Sequence, residues 1–171
     1  MSTPSLDLLN AMPEELAGAA LLACCGSAIW ARRMADERPF ESLGAVQDAA
    51  ERIWWELSKE DWLQAFAAHP KIGQKKAAAA TSEQSQAWSE KEQSGVAQAA
   101  AETTDELARL NEEYERRFGY IYIVCATGKS ADEMLALLRQ RLQNGHATEL
   151  QLAAAEQAKI TRLRLEKFLA K

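Results

Sequence analysis

The sequence predicts an all-α protein, a single-domain bundle of roughly eight helices covering residues 1–171, and three observations point there. Glycine (8) and proline (4) together make up about 7% of the chain, against a usual ~12%, too few for the turns of a sandwich or barrel. The remainder is rich in Ala, Leu, Glu, Gln and Arg, the residues that lose least on entering a helix. Helical stripes recur at three- and four-residue steps, the clearest being Val96, Ala100, Thr103, Leu107, Leu110, Tyr114 and Phe118. The length fits one domain and is enough to bury a core without a disulfide or metal staple.

Taken in order, Pro13 followed by Glu14 and Glu15 reads as a first helical turn, with Gly26 as the stop. Ser27 caps a short helix carrying Ile29, Trp30 and Met34, which Arg38-Pro39-Phe40 interrupts. A third helix runs from about Ser42 to Leu57 with Val46, Ala49, Ile53 and Trp54 on its apolar face. Ser58 and Asp61 open another through Trp62 and Phe66. It should stop at Ala68 or His69, because the residue before a proline is pushed out of the helical region. His69 to Gly73 is therefore a loop, and the small, polar stretch from Gln74 to Ser82 has no clear assignment. The long stripe ending at Phe118 closes on Gly119. Tyr120 to Ala126 has strand-like composition but no partner strand, so a buried extended or helical segment is expected. Ser130 and Glu133 make a capping box for the next helix, which Asn144-Gly145 closes. The last helix spans about Thr148 to Ala170.

Charge and cysteine usage narrow the function. A net charge of −5 argues against a general nucleic-acid binder, whose affinity comes from neutralising phosphates. Three cysteines, two of them adjacent, form no disulfide framework, so a reducing cytoplasm fits. No apolar run approaches the ~18 residues of a membrane span. Residues Met1 to Asn10 lack a basic n-region and carry Asp7, so no signal peptide is expected. Two histidines without neighbouring cysteines make a zinc site unexpected, and no glycine-rich phosphate loop occurs.

Few residues remain to carry chemistry. His146 follows a turn and reads as solvated. His69 reads either as a helix-end histidine favoured by the macrodipole or as an acid/base group presented at an element boundary. Ser89 to Gln93 reads as a capped helix start whose N–H groups could also bind an oxyanion, with Glu92 and Gln93 bonding an amide-rich ligand. Thr81-Ser82-Glu83-Gln84 is a near-duplicate, and spacing does not choose between them. Arg162 and Arg164 are two apart on one helix, so at most one faces any pocket. The five tryptophans read as core, and Cys125 as a small buried hydrophobe.

The ordered set of motifs resembles the 2-oxo-4-hydroxy-4-carboxy-5-ureidoimidazoline (OHCU) decarboxylase family over nearly the whole chain. The carrying residues are Ser27 to Trp30 with Arg38-Pro39-Phe40, His69 to Gly73, Trp88 to Gly95, Leu110 to Tyr114 through Phe118-Gly119, Cys125 to Ser130, and Lys159-Ile160 with Arg164-Leu165. The resemblance implies an all-α, cofactor-free, typically homodimeric enzyme that decarboxylates its ureidoimidazoline substrate to (S)-allantoin in urate catabolism. It implies that His69 and Glu92 are catalytic. It implies substrate contacts from Pro70, Ser89, Gln93 and Arg164, with Arg162 as the fallback. Backbone contacts are implied at Ile123, Val124, Cys125 and Ala126, within about one residue of register. The separation from His69 to Glu92 is slightly long for the family, with the extra residues expected between Gln74 and Ala80. Two rival readings remain: a helical interaction module with a tryptophan-lined groove, and a metal-dependent hydrolase.

Overall fold

A computed structural model describes residues 4–74, 79–97 and 99–170. The Lys75 to Ala78 part of the stretch expected to hold the extra residues lies outside them. Among the described residues there are nine α-helices, one 3-10 turn and no β-strand, which makes the fold all-α. No described helix is long and apolar enough to cross a membrane. The residues fall into two compact units, one made of the residues up to Ala65 with those from Ala158 on, the other of Phe66–Gln157.

The first unit begins with a helix that the motifs did not predict, α1 (Pro4–Ala11). Eight residues do not hold a helix in water. Burial of Leu6 and Leu9 and clamps from further along the chain hold this one. The Arg38 guanidinium donates to the carbonyls of Leu9 (2.8 Å) and Met12 (2.7 Å), satisfying the C-terminal end. The Asn10 amide brackets Phe40, accepting from its N–H and donating to its carbonyl, both at 2.8 Å.

Helix α2 (Glu14–Cys24) ends two residues before Gly26, with Cys25 as its extended cap. Ser27 caps α3 (Ala28–Asp36), its hydroxyl accepting from the Trp30 N–H. Ser42 caps α4 (Leu43–Glu56) through the Ala45 N–H, and Ser58 caps α5 (Lys59–Ala67) through the Asp61 N–H. Buried Trp30 and Trp62 donate their indole N–H groups to the carbonyls of Ala50 (3.1 Å) and Trp54 (2.9 Å). Large aromatic area is thus buried without an orphaned donor. Trp55, by contrast, is 40% exposed. Cys24 and Cys25 are free and buried, and burial pushes their thiols up to about 12 and about 11, well away from thiolate chemistry.

In the second unit, α6 (Glu83–Glu92) starts at Ser82, whose hydroxyl accepts from the Ser85 N–H. Val96 belongs to a 3-10 turn (Ser94–Val96), and α7 (Ala101–Phe118) begins only at Ala101, so the predicted stripe is split. Gly119 ends α7 at φ +85°, a left-handed conformation that a side chain would oppose. Ser130 caps α8 (Ala131–Arg141) as expected, and α9 (His146–Leu169) follows. Helices α7 and α8 pack together. Leu107, Leu110, Tyr114 and Phe118 meet Met134, Leu135 and Leu138, with Tyr122, Val124 and Ala126 added from the segment between them.

That segment, residues 121–126, is extended and wholly buried, yet belongs to no sheet. Buried backbone groups need partners, and side chains supply them. Arg141 donates to the Ile123 carbonyl, Glu156 accepts from the Cys125 N–H (3.2 Å), and the Lys129 ammonium donates to the Cys125 carbonyl (2.6 Å). Arg141 is itself buried and paired with fully buried Glu149, Nε to Oε1 at 2.6 Å. Glu149 also accepts from the Tyr114 hydroxyl (2.5 Å) and the Asn144 amide (3.1 Å). Burial, more than any neighbouring charge, holds the Tyr114 and Tyr122 hydroxyls well above the usual phenol range.

Candidate functional site

His69 stands where the chain leaves α5. The helix ends at Ala67, the His69 N–H still reaches the Phe66 carbonyl (3.1 Å), and Pro70 prevents continuation. The loop that follows is tied down residue by residue. Pro70 is buried, Lys71 pairs with Glu115 of α7 (2.7 Å), and Ile72 enters the α7–α8 core. The Gly73 N–H donates to Oε1 of Gln93 (3.0 Å). The half-buried imidazole of His69 places Nε2 2.7 Å from Oε1 of Gln157, a fully buried side chain of α9. Gln157 lies in no motif and is not among the residues the sequence pointed to. Its only sequence signal is an amide on the face of α9 that otherwise buries Ala153, Ala154 and Ile160.

Ser89 to Gln93 is not a helix start. The near-duplicate at Ser82 supplies the cap, and Ser89 and Glu92 lie in the last turn of α6, with Gln93 as its C-cap. The cap falls on Ser82, seven residues before the S-x-x-E signature of Ser89 and Glu92, which lies inside the same helix. The chemistry changes with it. A C-terminal turn presents carbonyls and the negative end of the helix dipole, so it suits N–H donors and not an oxyanion.

Three of the predicted segments come together within this unit. Gln93 reaches the His69 loop through the Gly73 N–H. Two residues on, a Cβ at Gly95 would lie 2.5 Å from the Lys129 carbonyl oxygen, so only glycine lets the 3-10 turn press against the backbone following Ala126. Burial raises the Cys125 thiol, and the Glu156 and Glu92 carboxylates add to that against the opposing Lys129 ammonium, so Glu92 acts electrostatically at Cys125. His69 and Pro70, then Ser89, Glu92 and Gln93, then Ile123 to Ala126 thus belong to one unit.

Arg164 belongs to the other. It is 3% exposed and donates from Nη1 to the Ala23 carbonyl (3.1 Å). The side chain of Arg162 is 56% exposed and faces Glu166 at 3.6 Å. The two-residue offset does separate them, one inward and one outward. Among the described residues no three His, Cys, Asp or Glu side chains group as metal ligands. His146 is exposed in the first turn of α9, its ring edge-on to Phe118.

The fold is all-α, and the candidate acid/base residues, one imidazole (His69) and one carboxylate (Glu92), belong to the same compact unit. A family model described as OHCU decarboxylase matches residues 10–166, and the chain belongs to that family. It is 37% identical over 148 residues to the uric acid degradation bifunctional protein TTL of Arabidopsis thaliana, covering 86% of this chain and 45% of that one. It is 32% identical over 139 residues to the 2-oxo-4-hydroxy-4-carboxy-5-ureidoimidazoline decarboxylase of Haloferax volcanii, covering 81% of this chain and 80% of that one. The chain therefore spans less than half of the plant protein and most of the archaeal one. A crystal structure of OHCU decarboxylase in the presence of (S)-allantoin superposes with a TM-score of 0.78 at 34% identity, covering 94% of this chain and all of that one.

Proposed function

We propose that this chain catalyses the cofactor-independent decarboxylation of OHCU to (S)-allantoin, the closing step of urate breakdown to allantoin. What supports the reading is the family match, together with the Gly73–Gln93 hydrogen bond that ties the loop after His69-Pro70 to the end of the Ser89–Gln93 turn and the close approach of Gly95 to Lys129, three residues past Ala126. The whole chain, residues 1–171, is proposed as one decarboxylase domain, since the family match runs through both units.

The substrate carries its own electron sink. The carbon that loses CO₂ is attached to a ring C=N bond, so the electrons of the breaking C–C bond flow into that imine. The protein's task is to orient the carboxylate, stabilise developing charge and deliver a proton to one face. His69 is the acid/base group at the hydroxyl and carboxylate end. Glu92 accepts from ring or ureido N–H groups, and Ser89 and Gln93 bind the ureido arm, a pairing that the carbonyl-rich end of α6 favours. Pro70 walls the site, and backbone groups from Ile123, Val124, Cys125 and Ala126 take the remaining amide positions. Arg164 pairs with anionic oxygen through its planar fork.

The test generates substrate in situ from urate with an oxidase and a hydrolase and follows circular dichroism. Optically active allantoin should accumulate ahead of the uncatalysed racemic product; racemic allantoin at the uncatalysed rate would end the proposal. In the same assay Arg164→Lys should raise KM about tenfold or more, because an ammonium cannot reproduce a fork worth ~1.5–3 kcal/mol. Arg162→Lys should leave KM unchanged. The reverse pattern would show that Arg162 is the substrate-binding arginine. A homodimer in the cytoplasm is proposed with this activity, and light scattering that returns a monomer's mass would refute the dimer.

A further inference from the structure

A glutamine with no exposed surface is unusual on an apolar helix face, since burying an amide is costly unless it is hydrogen-bonded. Gln157 meets that requirement in part on His69, with Oε1 2.7 Å from Nε2 of the ring. An amide oxygen can only accept, so the ring nitrogen facing it must carry the hydrogen. In the neutral imidazole the basic nitrogen is then Nδ1. The preceding residue of α9, Glu156, accepts from the Cys125 N–H. A single turn of α9 thus holds both the imidazole and the buried backbone segment.

We propose that Gln157 is the positioning residue for His69: it holds the Nε2–H tautomer and the ring plane, so that Nδ1 is the atom that exchanges a proton with substrate. This rests on the reading of His69 as the acid/base group. In this assignment Gln157 acts through the histidine, so its loss should act on turnover more than on binding.

The full chain contains only two histidines, His69 and His146, so its imidazole ¹⁵N signals are separable once His69→Ala identifies its own. At a pH where the ring is neutral, wild-type His69 should show a protonated Nε2 and a pyridine-type Nδ1. Gln157→Leu, close in volume, should mix the tautomers and lower kcat about tenfold or more while KM moves less than about threefold. Gln157→Glu keeps an accepting oxygen and should restore the Nε2–H tautomer and most of kcat. An Nδ1–H tautomer in the wild-type protein would overturn the proposal without any variant, which covers the case where a substitution prevents folding. Unchanged kcat and unchanged ¹⁵N shifts in folded Gln157→Leu would overturn it equally. Normal turnover by His69→Ala, with the His69 tautomer still governed by Gln157, would instead sink the acid/base reading beneath it.

Discussion

His69→Ala is expected to lower kcat by a factor of about 10² to 10⁴, the span that a positioned acid/base group supplies. The folded protein should survive the change. His69 is half-buried in a loop whose other anchors, Pro70, Lys71, Ile72 and Gly73, do not involve the imidazole. Removing the ring breaks its hydrogen bond to Gln157, at a cost of about 1–3 kcal/mol if that amide is left short of a partner. A melting temperature lowered by only a few degrees, with unchanged helical circular dichroism, should accompany the loss of turnover. Near-normal conversion of freshly generated OHCU by this variant would remove His69 from the mechanism.

Glu149→Ala should have the largest effect on stability. It leaves the Arg141 guanidinium buried without its carboxylate, and breaking a buried pair from one side costs about 3–5 kcal/mol. For a chain of this size that is a fall on the order of 10 °C in melting temperature. The Tyr114 hydroxyl and the Asn144 amide lose an acceptor in the same step. Activity should fall too in the fraction that stays folded, because Arg141 also holds the Ile123 carbonyl. Glu149→Gln keeps an acceptor for Tyr114 and should cost less. A melting temperature within about 2 °C of wild type for Glu149→Ala would show that the pair is not what secures the extended segment.

Neither Arg141 nor Glu149 stands out in the sequence. A charged residue on a helix is usually read as part of a solvated face, and only the folded chain shows that both are inside. The same holds for Gln157. The reversed place of Ser89 to Gln93 has another cause. Serine caps are local patterns, and when Ser82 and Ser89 both offer one, the winner is decided by which residues the unit buries: Ser85, Trp88 and Ser89 all face inward along one helix. Helix α1 has no comparable local signal, because its stability comes from Arg38 and Asn10 bonds to chain about 30 residues away in sequence.

Short-range steric rules alone determined the helical class, the caps at Ser27, Ser58 and Ser130, the left-handed stop at Gly119, and the break that sets His69 at the end of α5. Those features depend on the dihedral and hydrogen-bonding preferences of three or four consecutive residues. Tertiary structure alone decided that residues 121–126 run extended without a sheet, that Arg164 turns inward while Arg162 turns out, and that the imidazole meets an amide 88 residues away. Those outcomes depend on which polar groups find partners once water is excluded, and the partners are remote in sequence.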